Sequence, residues 1–209
     1  MRFASIVKGQ LTQSLIKALF ERAGYRVTRF GIEELFYEIV RLEKEQYLQL
    51  GLPKQLRYLP DLLIATPEVT SAFLVEVKFR RSFNQQTSSE LYHILRRQFS
   101  YWPSARCVLL ISEPCSQGGR FHQDYIRVID SDHLLHLDSS IWSKDSTIDQ
   151  AFQSPRHVIQ SSYKVHGCDG VWGLLPALNS AFELFGHRTT DTWKYADMIT
   201  STLKDLGKL

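Results

Sequence analysis

The stretch from residue 60 to residue 78 constrains the fold of this chain most strongly. Two apolar runs, 62–64 and 72–77, flank a turn-rich segment that contains Thr66 and Pro67. Large apolar and β-branched residues suit a pleated sheet, and proline interrupts one. The pattern therefore predicts a β-hairpin whose second strand is apolar enough to lie in the centre of a sheet.

Two charged residues lie in the second strand of this predicted hairpin. Because side chains alternate along a strand, Glu76 and Lys78 share one face and lie roughly 6–7 Å apart. Val75 and Val77 belong to the opposite face. Burial of such charges is costly unless they pair or bind a cation, which makes Glu76 and Lys78 candidate functional residues.

Asp61 precedes the first strand of the hairpin, so antiparallel pairing can bring it beside the end of the second strand. Two carboxylates and the ammonium of Lys78 would then meet at one point. Mg²⁺ accepts one or two carboxylates together with waters and a substrate phosphate. A neighbouring ammonium can orient or help deprotonate an attacking water, and it can stabilise charge on phosphorus. A plainer interpretation, in which residues 76–78 end a surface strand, stays open at this point.

Periodic patterns before the hairpin predict two helices and a strand. Apolar residues recur at helical spacing over residues 8–23, and a strand is predicted over 25–30. A helix is predicted over 35–50. Glu33 and Glu34 precede it, where acidic side chains interact favourably with the helix dipole; a position near the metal site is the alternative for them.

A second amphipathic helix is predicted after the hairpin, over residues 87–102. Thr87 and Glu90 have the spacing of a capping box at its start. Its apolar stripe comprises Leu91, Ile94, Leu95 and Trp102. Gln98 lies on the same stripe, so its amide is either satisfied in the core or directed at a site. The apolar run 106–112 then predicts a strand covered on both faces that crosses over into the same sheet.

The rest of the chain has weaker patterns. They predict strands over 125–129 and 134–137, a polar segment over 139–164, an apolar helix-compatible run over 172–185 and a helix over 192–206. We expect residues 1–138 to form the core and 139–209 a C-terminal extension. The extension would pack on the core or form an interface with a protein partner or a second copy.

Composition limits the class of protein. The three cysteines are widely spaced, which argues against a disulfide framework or a zinc ribbon, and Cys107 is expected in the core. No apolar run has membrane length and no signal peptide is recognisable, so we expect a cytoplasmic protein without a membrane partner. Glycine-rich nucleotide motifs and a Gly-x-Ser-x-Gly elbow are absent from the sequence. A formal net charge of +3 permits a nucleic-acid partner without requiring one.

The hairpin residues resemble the motif of the PD-(D/E)XK nuclease superfamily, which has the restriction-endonuclease-like fold. The matching residues are Pro60-Asp61 and Glu76-Val77-Lys78. The order helix, strand, hairpin, helix, strand, over residues 8 to about 130, is similar to the core of that superfamily. The resemblance implies an α/β fold with a central mixed sheet flanked by helices. It also implies a Mg²⁺ or Mn²⁺ site formed by Asp61, Glu76 and the backbone carbonyl of Val77, with Lys78 acting on the water.

The resemblance extends to both flanking helices. Lys8-Gly9 resembles the start of a helix in archaeal Holliday-junction resolvases and other members, in which a Glu one turn later completes the metal site. Gln13 holds that position here. Gln98 with Tyr101 or Trp102 is similar to the Gln and following aromatic of several branches. The resemblance thus implies supporting roles for Gln13 and Gln98 at the catalytic centre.

The function implied by this resemblance is hydrolysis of phosphodiester bonds in DNA by a Mg²⁺- or Mn²⁺-dependent endonuclease. Its setting would be repair, recombination, mobile-element processing or defence. Lys8, Arg80 and Arg81 are basic residues near the predicted metal site and are expected to contact the DNA backbone. Because Gln13 brings no charge, an alternative stays open: an inactive relative that binds DNA or a protein, with the C-terminal region carrying its role.

Overall fold

The computed structural model describes residues 2–35, 39, 42–115, 125–138, 167–186 and 190–208. The strands are β1 (Arg26–Arg29), β2 (Leu62–Ala65), β3 (Ala72–Ser82), β4 (Arg106–Glu113) and β5 (Ile126–Ile129). The helices are α1 (Arg2–Arg22), α2 (Ile32–Leu35), α3 (Lys44–Gln49), α4 (Lys54–Arg57), α5 (Gln85–Tyr101), α6 (Gly167–Leu174), α7 (Leu178–Ala181), α8 (Glu183–Gly186) and α9 (Thr190–Lys208). Within the described residues the strands form one mixed sheet in the order β1-β2-β3-β4-β5, so the protein is α/β as predicted.

The predicted hairpin is present. Strand β2 pairs antiparallel with β3, with Leu62 opposite Val75. The turn is held by Thr66, whose side-chain oxygen accepts hydrogen bonds from the backbone N–H groups of Thr70 and Ser71 at 3.0 and 3.1 Å. Side chains of residues that lie opposite each other in an antiparallel pair are on the same face. Asp61 directly precedes Leu62, the first paired residue of β2, and Glu76 directly follows Val75, so the two acidic residues lie at the same end of the paired segment.

Helix α5 makes the predicted crossover. Strands β3 and β4 are parallel, with Glu76 opposite Cys107, and β5 pairs antiparallel with the far edge of β4. Parallel strands need such a crossover connection, which here is the helix. The middle of β4 is fully buried, as expected of a strand covered on both faces.

A separate hydrophobic cluster covers each face of the sheet, and we name the faces after their main helices. The α1 face includes Ile16, Phe20, Val75, Val77, Val108, Leu178, Phe182, Phe185 and Ile199. The α5 face includes Leu91, Leu95, Phe99, Cys107, Leu109, Ile111, Ile129, Leu137 and Trp172. The two sides of β3 thus belong to different clusters, in agreement with the predicted alternation of its side chains.

Local side-chain hydrogen bonds explain two wrong predictions. Residues 134–137 form a 3₁₀ helix, Leu134–Leu137, rather than a strand. The carboxylate of Asp130 accepts hydrogen bonds from the N–H groups of Asp132 and His133 at 3.0 and 3.1 Å, and this turn directs the backbone away from an extended path. The start of α5 is capped by Asn84, whose side chain accepts from Thr87 N–H at 2.9 Å, so Thr87 is not the cap.

The prediction of a single helix over residues 35–50 was also wrong. Its ends belong to two short helices, α2 and α3, and Glu43 starts α3 with a capping box that includes Gln46. A new N-terminus at this point interrupts any continuous helix. Glu34 is exposed and accepts a hydrogen bond from Arg29 at 3.1 Å.

The C-terminal region packs on the core. Phe182 and Phe185 contact the ring of Phe20 edge-on, with centroids 4.7 and 5.1 Å apart. The guanidinium of Arg106 lies 4.4 Å from the ring centroid of Phe73 and 5.0 Å from that of Phe182. The last predicted helix is present as α9, while the apolar run 172–185 spans parts of three short helices.

The predicted polar segment 139–164 lies outside the described residues. Its contribution to a partner interface stays a prediction. Among the helices of the described ranges, none combines the length and the apolar character needed to span a bilayer.

Candidate functional site

Asp61 is fixed at the junction of four elements. Its carboxylate accepts hydrogen bonds from Gln13 Nε2 of α1 at 2.8 Å and from the N–H of Val77 in β3 at 2.7 Å. Its backbone carbonyl accepts the N–H groups of Phe30 and Gly31, which follow β1, at 2.8 and 3.2 Å. The position of this carboxylate is therefore determined by the fold rather than by its own rotamer alone.

Glu76 is a buried carboxylate with two side-chain partners. It is 6% exposed and lies on the α5 face. One oxygen forms an ion pair with Lys78, and the other accepts a hydrogen bond from Gln98 Nε2 at 2.6 Å. Since a buried charge is costly unless it is paired and hydrogen-bonded, these contacts account for a carboxylate in the middle of the sheet.

Lys78 is coupled to both carboxylates. Burial alone would lower the pKa of Lys78, but the charges of Glu76 and then Asp61 raise this pKa above its ordinary value. The side chain is therefore an ammonium at neutral pH. Its charge links Asp61, held from the side of α1, to Glu76, held from the side of α5.

The two predicted amides each donate a hydrogen bond to one of the carboxylates. Gln98 is only 4% exposed, and its Nε2 lies between Glu76 and the carbonyl oxygen of Tyr58, 3.5 Å away. Its Oε1 is buried without a hydrogen-bond partner among the described residues. Gln13 is half-buried and donates to Asp61. Each carboxylate thus receives one amide from a different helix, which fixes its orientation.

The predicted DNA-contacting residues are not all brought together. Arg80 shares a face with Glu76 and Lys78 and donates to the carbonyl of Phe79 at 2.8 Å. Arg81 points to the other face, is mostly exposed and pairs with Glu113 at 2.7 Å. Its guanidinium is engaged away from the carboxylates, because alternation along β3 separates neighbouring side chains.

Lys8 and Val77 complete the predicted set. Lys8 is half-buried and lies on α1, N-terminal to Gln13. Val77 directs its side chain into the core of the α1 face, while its N–H is taken by Asp61. The backbone of Val77 is therefore adjacent to both carboxylates, as its predicted role as a ligand requires.

Two neighbours of the site were missed from the sequence. Cys107, expected only as a core residue, lies opposite Glu76 in the parallel register. Burial, and then the charge of Glu76, raises the pKa of its thiol, so it lines the site as a neutral group. Tyr58 contributes its carbonyl beside Gln98. No motif marks either contact, since both depend on strand register and helix docking.

The donor set fits a hard divalent cation. Among the described residues, no group of three or more His, Cys, Asp or Glu side chains could hold a metal ion. Mg²⁺ needs only one or two carboxylates and retains waters, so Asp61 and Glu76 suffice for it, whereas a structural zinc ion requires a full set of side-chain ligands. The buried Oε1 of Gln98 is an additional oxygen that a bound water could reach.

The described residues define an α/β protein with a five-stranded mixed sheet. Near the centre of the sheet, Gln13 bonds Asp61, while Gln98 and Lys78 bond Glu76. The two groups are joined through the N–H of Val77, which Asp61 accepts. Comparisons of the chain with protein-family models, curated proteins and solved structures found no match.

Proposed function

We propose that this protein is a Mg²⁺- or Mn²⁺-dependent nuclease that hydrolyses phosphodiester bonds in DNA. The observation that carries the proposal is that Asp61 accepts the N–H of Val77, between Glu76 and Lys78, at 2.7 Å. Gln13 bonds Asp61, and Gln98 and Lys78 bond Glu76. These residues come from α1, the hairpin and α5, and they are separated by up to 85 positions in the sequence (98 − 13). A purely structural salt bridge would need only two of them.

The topology supports membership in the PD-(D/E)XK superfamily. A helix, a strand, a hairpin, a crossover helix and a parallel strand follow in the order that the resemblance implies. The Glu-Val-Lys triplet lies on the second hairpin strand, and Asp61 lies directly before the first. The proposed fold is therefore restriction-endonuclease-like.

Asp61, Glu76 and the carbonyl of Val77 would hold the metal ion. When bound, the ion would supply Lewis-acid polarisation of the phosphate and activation of a water. Gln13 and Gln98 orient the two carboxylates through their amide N–H groups. Such supporting hydrogen bonds commonly tune metal affinity and ligand geometry.

The protonation state of Lys78 defines its role. Because Glu76 and Asp61 raise the pKa of Lys78, its side chain is an ammonium in the protein without a bound metal ion. An ammonium can donate to the attacking water or to a phosphate oxygen as negative charge increases in the transition state. We therefore assign Lys78 to the attacking water, which it would orient or help to deprotonate, and to stabilisation of charge on the phosphate.

A second candidate is an inactive relative that binds DNA or a protein. The uncharged Gln13 favours it, since this position would carry a Glu in many members of the proposed superfamily. The intact network around Glu76 favours the enzyme. A nuclease cleaves DNA and an inactive relative does not, so an assay of cleavage distinguishes the two candidates, whereas an assay of binding does not.

A plasmid-nicking assay tests the proposal. We expect nicking with Mg²⁺ or Mn²⁺, none with EDTA, and at least about 100-fold less nicking for Asp61→Asn, because metal-ion catalysis supplies several kcal/mol. Lys78→Gln should reduce nicking as well. The matched control is Glu68→Gln, which removes an exposed carboxylate in the hairpin turn.

Two results would reject the assignment. Nicking that survives both Asp61→Asn and Lys78→Gln would show that another site is responsible. Binding of DNA by the wild-type protein without nicking in either metal would favour the inactive relative.

A further inference from the structure

A pair of stacked tyrosines lies beside the candidate site. The rings of Tyr58 and Tyr101 are nearly parallel, with centroids 5.4 Å apart and an interplanar angle of 7°. Both residues are half-buried, and within the described ranges no third ring joins the stack. Proteins that bind single strands stack bases on aromatic faces of this kind.

Arg97 contacts the stack, and Arg57 directly precedes Tyr58 in the sequence. Nη1 of Arg97 donates to the hydroxyl oxygen of Tyr58 at 3.2 Å, and the guanidinium of Arg57 lies over the ring of Tyr47 at 5.9 Å. Neither Arg57 nor Arg97 forms a salt bridge with a carboxylate of the described residues. Nε of Arg57 is buried and has no hydrogen-bond partner in the same residues. A phosphate group would supply the missing negative charge.

The local sequence lacks competing negative charge. Segments 51–60 and 91–101, which carry the two tyrosines and the two arginines, contain no Asp or Glu. The positive charge of these two segments is therefore not neutralised from within them. Such a surface favours a polyanion over a neutral partner.

The stack is fixed to the site by hydrogen bonds. Nε1 of Trp102 donates to the carbonyl of Gln55 at 3.3 Å and holds α4 against the end of α5. The amide of Gln98 lies within 3.5 Å of the Tyr58 carbonyl and bonds Glu76 at 2.6 Å. One buried side chain thus connects the aromatic pair with the proposed catalytic carboxylate.

We propose that Arg57, Tyr58, Arg97 and Tyr101 form a binding surface for single-stranded DNA, which we name the stacked-tyrosine surface. This inference rests on the proposed nuclease function and specifies its substrate as DNA with unpaired bases next to the cleaved bond. Bases inside a duplex have no free face for a tyrosine, whereas the bases of a single strand do. The two arginines hold phosphates of the same strand.

Binding in EDTA tests the surface without cleavage. The probes are a short fluorescein-labelled oligothymidylate and a duplex of the same length, measured by fluorescence anisotropy. We expect Tyr101→Ala to weaken single-strand binding roughly tenfold, because loss of one stacked base has an effect of this order. Tyr101→Phe, which keeps the ring, should bind as the wild type does.

Arginine variants on one helix provide the matched control. Arg97→Gln should weaken binding. It should also reduce the slope of log affinity against log salt concentration by about one, because one fewer counterion is released. Arg96→Gln makes the same charge change, but Arg96 lies against Tyr92 rather than against the stack. It should leave the affinity close to that of the wild type. Circular dichroism checks that each variant is folded. If Tyr101→Ala does not fold, Arg97→Gln still tests the surface, because Arg97 is an exposed residue.

The outcomes separate this inference from the nuclease proposal. Single-strand affinities of Tyr101→Ala and Arg97→Gln equal to that of Arg96→Gln would overturn the stacked-tyrosine surface, even if the wild type nicks plasmid. Equal losses for duplex and single strand would also overturn it. The expected losses in a protein that never nicks DNA would support the surface and reject the nuclease.

Discussion

The two faces of the sheet differ in what they bury. The α1 face is closed by aromatic and aliphatic side chains, with Phe20 in contact with Tyr25, Phe182 and Phe185. The α5 face has an equally buried apolar cluster but also encloses Glu76 and Gln98. Both faces use the same strands, so the difference comes from alternate residues of one sequence.

The two faces are therefore expected to contribute differently to the free energy of unfolding. Apolar packing on the α1 face lowers the free energy of the folded state without further conditions. A buried ion pair is at best weakly stabilising, because desolvation offsets its Coulombic attraction. Polar residues in the α5 face therefore need a reason other than stability, and such departures from a simple core are expected at functional sites.

The largest expected effect is on the α1 face. Phe20→Ala should reduce the free energy of unfolding by about 3–5 kcal/mol, because it opens a cavity among three aromatic rings. Phe99→Ala on the α5 face should cost less, since Phe99 is not fully buried. Urea denaturation measures both. Equal losses of unfolding free energy in the two variants would show that the two faces do not differ in packing.

A smaller effect is expected from the buried ion pair. Lys78→Met should cost about 2–3 kcal/mol, below the range for fully buried pairs because the lysine side chain is 26% exposed. Adding Glu76→Gln should restore part of this loss, since it removes the buried charge at position 76 that Lys78→Met leaves without a counter-charge, while nicking stays absent. The control is Lys17→Met, whose partner Glu21 is exposed, with an expected cost of about 0–1 kcal/mol.

A double variant more stable than Lys78→Met, but still unable to nick DNA, would show that Glu76 and Lys78 serve activity rather than stability. A double variant no more stable than Lys78→Met would contradict the argument. It would mean that the pair itself stabilises the sheet.

The smallest expected effect is a pH dependence of the α5 face. Burial, and then the nearby His133, lowers the pKa of His136 to about 4, although Asp130 acts in the opposite direction. The unfolded chain therefore binds a proton near pH 6.5 that the folded protein takes up only near pH 4. This contribution to stability is complete above pH 6.5 and decreases as the pH falls from 6.5 towards 4.

Urea midpoints at pH 7 and pH 5 measure this dependence. His136→Gln should reduce the difference between the two midpoints, whereas His93→Gln, at an exposed position of α5, should not. The same difference in all three proteins would place the acid sensitivity elsewhere.

Much of the fold could be predicted because its strongest signals are local. The hairpin, the crossover strand and the last helix follow from alternation, a continuous apolar run and helical periodicity. The 3₁₀ helix Leu134–Leu137 was missed because an apolar run of that length fits a strand equally well, and only the turn at Asp130 decides the matter. The cap at Asn84 was missed because Thr87 and Glu90 offered a competing capping pattern.

The candidate site followed from residue chemistry more than from spacing. Asp61, Glu76 and Lys78 are informative because charges flanked by apolar residues need partners. Sequence could not give the hydrogen bond from Gln98 to Glu76, which depends on how α5 docks on the sheet. The sequence also could not show that Arg80 shares the face of Glu76 whereas Arg81 does not. That distinction depends on β3 continuing to Ser82, so that both arginines lie within the strand.

The ion pair at Glu76 has a consequence for affinity. Lys78 is a resident counter-ion of Glu76, so an arriving cation would have to compete with its ammonium for that carboxylate. Under the proposed function, uptake of a divalent ion would be an exchange of electrostatic partners rather than a simple addition. A phosphate that arrives with the ion would accept the displaced ammonium, and metal and nucleic acid would each promote the binding of the other.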